Sequence, residues 1–206
     1  MERVGNFSAL SQEMLHDTYS SPAFQYPNVV FITHTHADHY HEETLRHYLS
    51  LWPEAQIIMP HCPFRGGISL EETAYVDGRN TSLHFFPLIH QGNEYANVAH
   101  FGLLCTVHHQ TLLFTGDGIV ADERLQTFLS EKTVDIAILP FPWVTRKSGI
   151  AYINQVLKPK HIIINHLPLP GDDVYHYRKI SEQTCGAVLS TSDCRMMDSF
   201  LKTEII

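Results

Sequence analysis

The sequence predicts a mixed α/β fold, and three of its features lead to that prediction. Short apolar runs rich in Val, Ile and Leu are bounded by turn residues, as expected for buried strands. Strands and a hairpin come first, and strands then alternate with helices. Hydrophobic residues make up 44% of the 206 residues, which is enough for a sizeable core, and no repeat or Gly/Ser linker divides the chain. We therefore expect a single domain over residues 1–206.

Apolar spacing and turn residues assign the elements of the first half. The β-branched run Val29–Ile32 is typical of a buried strand. Apolar residues at helical spacing between Glu42 and Trp52 predict a helix that ends before Pro53. Glycine-containing turns favour a long loop over residues 61–80. In chain order, the predicted elements are a helix within Ser8–Tyr19, strand Val29–Ile32, helix Glu42–Trp52, strand Gln56–Met59, strand Ser82–Ile89, and a hairpin of Phe101–Val107 with Thr111–Thr115.

The second half alternates helices with strands. The turn Gly116-Asp117-Gly118 follows the hairpin, and apolar runs of strand length then alternate with segments of helical pattern. In chain order, we expect helix Ala121–Ser130, strand Ile136–Leu139, helix Lys147–Leu157, strand His161–Ile164, a helix within Asp173–Thr184, and a final strand or helix beyond it. This order predicts sheet layers covered by helices.

Charge, hydropathy and cysteine usage exclude several classes of function. The formal net charge is −8, and the basic residues form no long cluster, so we expect no nucleic-acid partner. No apolar run reaches the roughly 18 residues of a membrane span, and the N-terminus lacks a signal-peptide pattern. The cysteines, which are Cys62, Cys105, Cys185 and Cys194, form no CxxC pair. Reduced thiols and a cytoplasmic location are therefore expected.

Histidine is the outlier of the composition, because 15 histidines outnumber the 14 lysines and arginines together. Four potential metal ligands, His34, His36, Asp38 and His39, follow the strand Val29–Ile32 directly. Residues two apart in an extended segment face the same side, so His34 and His36 can bind one ion together. Imidazole with carboxylate suits zinc, and iron or manganese less exclusively. The loop therefore predicts a metal site.

The run His34-Thr-His36-Ala-Asp38-His39 resembles the HxHxDH signature of the metallo-β-lactamase superfamily. The strand that ends in Gly116-Asp117 and the later strand that ends in Asn165-His166 resemble two further motifs of that family, in the same order. The resemblance covers roughly residues 28–170 and implies a four-layer αβ/βα sandwich. Only 33 residues precede His34, so the N-terminal sheet is expected to be shortened, and its bare edge favours dimerisation or low stability.

The resemblance also implies two divalent metal ions, most simply Zn²⁺, with iron or manganese as alternatives. His90 ends an apolar strand and supplies a further histidine that the family requires, although His100 could take that place. Asp38 and Asp117 are expected to be catalytic as well as ligating. Two ions about 3.5–4 Å apart can lower the pKa of a shared water molecule and give a hydroxide nucleophile. The first ion is assigned to His34, His36 and His90, the second to Asp38, His39 and His166, and Asp117 is shared.

The implied activity is hydrolysis of a small ester, lactone or phosphoester, and the arrangement is similar to the ascorbate-6-phosphate lactonase group. The alternatives are a non-catalytic domain that its metal ions stabilise, and redox or oxygen chemistry at iron in the same ligands. A small molecule is the expected partner, with no nucleic acid and no membrane. Residues 60–80 and 140–147 could select the substrate, although Trp143 could equally pack at the edge of the core.

Overall fold

Two β-sheets and their helices form the chain, as seen in a computed structural model that describes residues 11–187, 189 and 193–199. The predicted mixed α/β class is therefore confirmed. The chain divides into two compact units between Glu71 and Glu72. The prediction that residues 1–206 are one domain stays a prediction.

The first unit contains a small parallel sheet. Its strands lie in the order β1-β2-β3, and Val30 of β1 is paired with Ile57 of β2. Leu45, Ile57 and Met59 are buried and form the core of this unit with Val30 and neighbouring apolar side chains. The elements are α1 (Gln12–Ser20), a 3₁₀ turn (Pro22–Phe24), β1 (Val29–Phe31), α2 (Glu42–Leu51), β2 (Gln56–Pro60) and β3 (Ile68–Leu70).

The second unit contains a seven-stranded sheet of order β10-β9-β8-β7-β6-β5-β4. Strands β4 to β7 pair antiparallel, and β8, β9 and β10 continue the sheet in parallel. The strands are β4 (Ala74–Asp77), β5 (Thr81–Pro87), β6 (Phe101–Val107), β7 (Gln110–Phe114), β8 (Ile136–Pro140), β9 (His161–Asn165) and β10 (Asp193–Met196). The helices are α3 (Glu123–Leu129), α4 (Pro142–Thr145), α5 (Lys147–Tyr152), which continues as a π-helical segment (Ile153–Leu157), and α6 (Tyr177–Ala187).

The core of the second unit places the loops that carry the candidate ligands. Apolar side chains of neighbouring strands, including Leu113, Leu139 and Ile164, are fully buried. Trp143 is also fully buried, and its Nε1–H donates to the carbonyl of Gly118, 3.2 Å away. Trp143 is therefore a core residue, as the alternative interpretation expected, and it contacts the turn that follows β7, whereas Arg146 and Lys147 are exposed.

Two expectations from the sequence are wrong. The segment 61–80 is not one long loop, because it contains β3 and β4. Both strands are short, and the glycine turns beside them led the sequence analysis to predict a loop. The four cysteines are not all reduced, because Cys185 of α6 and Cys194 of β10 form a disulfide bond, whereas Cys62 and Cys105 are free. Residues 8–10 of the first predicted helix lie outside the described residues, and α1 covers the rest of it after the N-cap Ser11.

Candidate metal centre

The HxHxDH loop gathers its imidazole rings within the first unit. His34 follows β1 and is fully buried, and its ring centroid lies 4.6 Å from that of His36 and 4.2 Å from that of His39. The hydroxyl of Thr33 is 2.9 Å from Nδ1 of His34. With Nδ1 engaged in this way, Nε2 is the nitrogen that a metal ion would use, and the hydrogen bond orients the ring.

A tight turn brings the second half of the motif back towards the first. The backbone N–H groups of His39 and Tyr40 both donate to the carbonyl of His36, at 2.9 and 2.8 Å. This turn places Nε2 of His39 3.6 Å from Oδ2 of Asp38. A nitrogen and a carboxylate oxygen at that separation can both reach one ion. The motif therefore folds locally into a group of four ligand side chains.

In the second unit, one carboxylate oxygen faces two histidines. Gly116, with φ of +50°, turns the chain after β7 and presents Asp117. Oδ2 of Asp117 lies 3.8 Å from Nε2 of His90 and 3.4 Å from Nε2 of His166. The two histidines follow different strands, β5 and β9, so only the fold brings them to the same oxygen. This arrangement suits a carboxylate that bridges two ions.

His90 is held by the backbone around it. Its side chain is 5% exposed, and Nδ1 lies 2.7 Å from the carbonyl of Gln91, so Nε2 is the nitrogen turned towards Asp117. His90 pairs with Gly118 in an isolated bridge. The N–H of Gln91 donates to the carbonyl of Asp117 at 2.8 Å. The loops that carry His90 and Asp117 are thus joined by backbone hydrogen bonds.

His100 faces the backbone of Asp117 rather than its carboxylate. It is 2% exposed, and its Nε2 accepts a hydrogen bond of 3.0 Å from the backbone N–H of Asp117. An imidazole nitrogen that accepts from an N–H carries no proton, so the ring is neutral with its hydrogen on Nδ1. Of the two histidines that the sequence left open, His90 turns Nε2 to the Asp117 carboxylate and His100 supports the Asp117 backbone.

Asp122 is a residue of this site that the sequence analysis missed. Its carboxylate is 5% exposed and accepts from the backbone N–H of Ile89 at 3.0 Å and from that of Arg124 at 2.8 Å. It therefore caps the N-terminus of α3 and holds the strand end that leads into His90. An Asp directly before a helical pattern is an N-cap signal that could have identified its first role; its second role depends on the fold.

Aromatic side chains surround the histidines of the second unit. The ring of Tyr95 lies 5.1 Å from that of His90, in an edge-on orientation. The ring of Phe141 lies 6.4 Å from that of His166 and 4.5 Å from that of Tyr177. These contacts place aromatic rings beside two of the proposed ligands.

The donor set fits divalent metal ions. All seven predicted ligands are imidazoles or carboxylates, which is the mixture that zinc, iron and manganese accept. That these residues bind one pair of ions is implied only by the family resemblance, and it stays a prediction. Four of them lie in the first unit (His34, His36, Asp38 and His39) and three in the second (His90, Asp117 and His166).

Comparison with known proteins identifies the fold. No protein-family model matches the sequence, and no curated protein matches it. The metallo-β-lactamase fold protein YhfI from Bacillus subtilis aligns with a TM-score of 0.60 and 15% identity, over 90% of this chain and 82% of that chain. Igni18, a metallo hydrolase from Ignicoccus hospitalis, aligns with a TM-score of 0.58 and 15% identity, over 88% of this chain and 81% of that chain.

A third solved structure extends the range of chemistry found on this fold. CmlA, a diiron β-hydroxylase from Streptomyces venezuelae, aligns with a TM-score of 0.63 and 13% identity. The alignment covers 82% of this chain and 43% of CmlA. At these low identities the likeness shows the fold but not the reaction, which depends on the residues of the site.

Proposed function

Since the chain has the metallo-β-lactamase fold, we propose that it is a metal-dependent hydrolase that acts on a small ester, lactone or phosphoester. One observation carries the proposal: a single carboxylate oxygen of Asp117 is faced by Nε2 of His90 at 3.8 Å and Nε2 of His166 at 3.4 Å. One of these imidazoles is buried (His90) and the other is 23% exposed (His166), and two imidazoles turned towards one carboxylate suit a pair of cations.

The ligands that would hold the two ions are those that the resemblance assigns. When bound, divalent ions lower the pKa of coordinated water and provide a hydroxide nucleophile near neutral pH. The carboxylates of Asp38 and Asp117 would offset the charge of the ions. The hydroxyl of Thr33 and the carbonyl of Gln91 engage Nδ1 of His34 and His90, so each ring presents Nε2. The proposed ligands are His34, His36 and His90 for one ion, Asp38, His39 and His166 for the other, and Asp117 for both.

The proposal predicts a specific effect of Asp117→Asn. The wild-type protein, purified without added metal, should contain about two zinc ions per chain. The variant should lose most of one ion and should hydrolyse esters more than about 100-fold more slowly, because even residues that only orient ligands change metal affinity or activity by about 10- to 100-fold. Metal content is measured by elemental analysis, and hydrolysis is measured with a panel of esters, lactones and phosphoesters.

Asp77→Asn is the matched control, because Asp77 is an exposed aspartate at the end of β4. It should retain wild-type metal content and rate. Unchanged hydrolysis in a folded Asp117→Asn protein would exclude the proposed mechanism. If the metal is bound but no member of the panel is hydrolysed, the non-catalytic alternative, in which metal ions only stabilise the fold, is favoured.

A second candidate function is redox or oxygen chemistry at iron, and the likeness to the diiron β-hydroxylase CmlA favours it. The same nitrogen and oxygen ligands accept iron. The metal analysis separates the two candidates, because about two irons per chain with visible absorption would support the redox candidate and two zinc ions would exclude it.

We also propose that the partner is a small molecule rather than a nucleic acid or a membrane. The net charge of −8 argues against a nucleic-acid partner. No helix in the described part of the chain has the length and apolar character needed to cross a bilayer. Self-association into a homo-oligomer, which the sequence analysis expected, stays a prediction.

A further inference from the structure

A cavity of about 430 Å³ lies within the first unit, between α1, β1 and α2. Pockets of roughly 300–1,000 Å³ are the usual size for sites that hold small organic molecules. The volume corresponds to about fourteen water molecules at ~30 Å³ each. Apolar side chains from all three elements line it, among them Leu15, Val30 and Leu45.

The wall of the cavity is uncharged. None of its lining residues, all of which belong to the described part of the chain, is Asp, Glu, Lys or Arg. The hydroxyl of Tyr48 donates to the carbonyl of Phe24. Burial raises the pKa of the Tyr19 and Tyr48 phenols above the usual 10.0, so both stay neutral at physiological pH. Away from His39 and His41, a charged group would lose its hydration in this cavity without a charged partner in the wall.

One end of the cavity reaches the HxHxDH loop, because His39 and Tyr40 belong to its lining. Nε2 of His39 lies 3.6 Å from Oδ2 of Asp38, its neighbour in the motif. The wall of the cavity thus includes one proposed metal ligand, His39, and a second, Asp38, lies beside it in the same unit. A molecule that fills the cavity would have one end beside the ligand His39.

We propose that this cavity binds an uncharged apolar group of the substrate, of the size of a medium-length acyl chain, with the scissile bond at the His39 end. This inference rests on the proposed hydrolase function and narrows its substrate class to esters or lactones with an apolar acyl part. The favourable term is burial of the chain, and each methylene that enters the cavity should tighten binding about fourfold.

The first experiment measures the cavity without any reaction. The neutral fluorescent probe N-phenyl-1-naphthylamine is titrated into the purified protein, and 1-butanol to 1-decanol are used as competitors. Competition should strengthen about fourfold per methylene until the cavity is full. Ala23→Trp fills the cavity from its exposed rim and should weaken probe binding at least about tenfold; Thr18→Phe fills it from α1 and should have the same effect.

Ser50→Trp is the matched control, because Ser50 is an exposed residue of α2 that does not line the cavity. It should bind the probe as the wild type does. The second experiment compares hydrolysis of p-nitrophenyl acetate, hexanoate and octanoate. KM should fall with chain length in the wild type and in Ser50→Trp, and this fall should disappear in Ala23→Trp.

The two proposals fail separately. No probe binding, or equal binding in wild type, Ala23→Trp and Thr18→Phe, would overturn the cavity as an apolar site. A KM that is independent of chain length would overturn its role in substrate binding. Probe binding that is lost in Ala23→Trp, together with no hydrolysis of any ester, would support the cavity and overturn the hydrolase.

Discussion

Hydrogen bonds to single side chains decide which atoms of this site would face a metal ion. The carbonyl of Gln91 engages Nδ1 of His90, and the N–H of Asp117 engages Nε2 of His100. The two rings lie 5.4 Å apart and are similarly buried, yet Nε2 faces the Asp117 carboxylate in His90 and the Asp117 backbone in His100. His100 is therefore a positioning residue for Asp117, and His90 is the proposed ligand.

This difference predicts the effects of two substitutions. His100→Ala removes the acceptor for the Asp117 N–H and should weaken metal binding about 10- to 100-fold. His100→Gln should recover most of that affinity, because its amide oxygen can accept the same hydrogen bond. Zinc affinity is measured by competition with a chromophoric chelator, and circular dichroism controls for folding. If His100 were itself a ligand, His100→Gln would be as impaired as His100→Ala.

At the scale of elements, Asp135 joins three neighbouring strands. Its carboxylate lies 2.8 Å from Nζ of Lys160, which precedes β9, and accepts from the N–H of Thr111 in β7 at 2.8 Å. Asp135 itself directly precedes β8. The hydrogen bond from Lys160, followed by that from the Thr111 backbone, lowers the pKa of the Asp135 carboxyl below its ordinary value of 3.8.

This lowered pKa predicts a pH dependence of stability. Because the folded-state pKa lies below the unfolded one, the stabilisation is fully present above about pH 4 and is lost as the pH falls through the folded-state pKa. Asp135→Asn should cost about 1 kcal/mol at pH 7 and less at pH 2. Urea unfolding at both pH values tests this, with Asp77→Asn as control. An equal loss at both pH values would contradict the assigned cause.

Most elements could be predicted from local pattern, and the exceptions have physical reasons. The run Ile162-Ile163-Ile164 is apolar enough to indicate a buried strand without any neighbour, and β9 confirms it. Strand β3 has only three residues and pairs in parallel with β2, from which a loop separates it. A strand of this length forms its hydrogen bonds with a partner strand. Its own sequence is too short to show the periodic pattern from which a strand is predicted.

At the scale of the whole molecule, the disulfide removes one reason for expecting a cytoplasmic location. Cys185 and Cys194 are nine residues apart and join α6 to β10. Disulfide bonds are typical of oxidising compartments. The predicted cytoplasmic location rested on reduced thiols, so it loses that support and stays a prediction.

The disulfide predicts that reduction destabilises the protein. Closing a loop of this length should contribute about 2–3 kcal/mol, which dithiothreitol should remove. Urea unfolding with and without the reductant measures the difference. Alkylation of the denatured chain followed by mass spectrometry should label the two free cysteines before reduction and all four after it. Four labelled cysteines before reduction would show that the bond does not form.

The sequence by itself determined the features that depend on neighbours along the chain. The spacing of His34, His36, Asp38 and His39 indicated a local ligand group, and alternating patterns indicated the α/β class. Only the tertiary structure decided which distant groups meet. It turned His90 and His166 towards one oxygen of Asp117, and it placed the His100 ring against the Asp117 backbone. It also formed an apolar cavity beside His39. Residues tens of positions apart meet through strand pairing and core packing, and these depend on the whole chain rather than on local spacing.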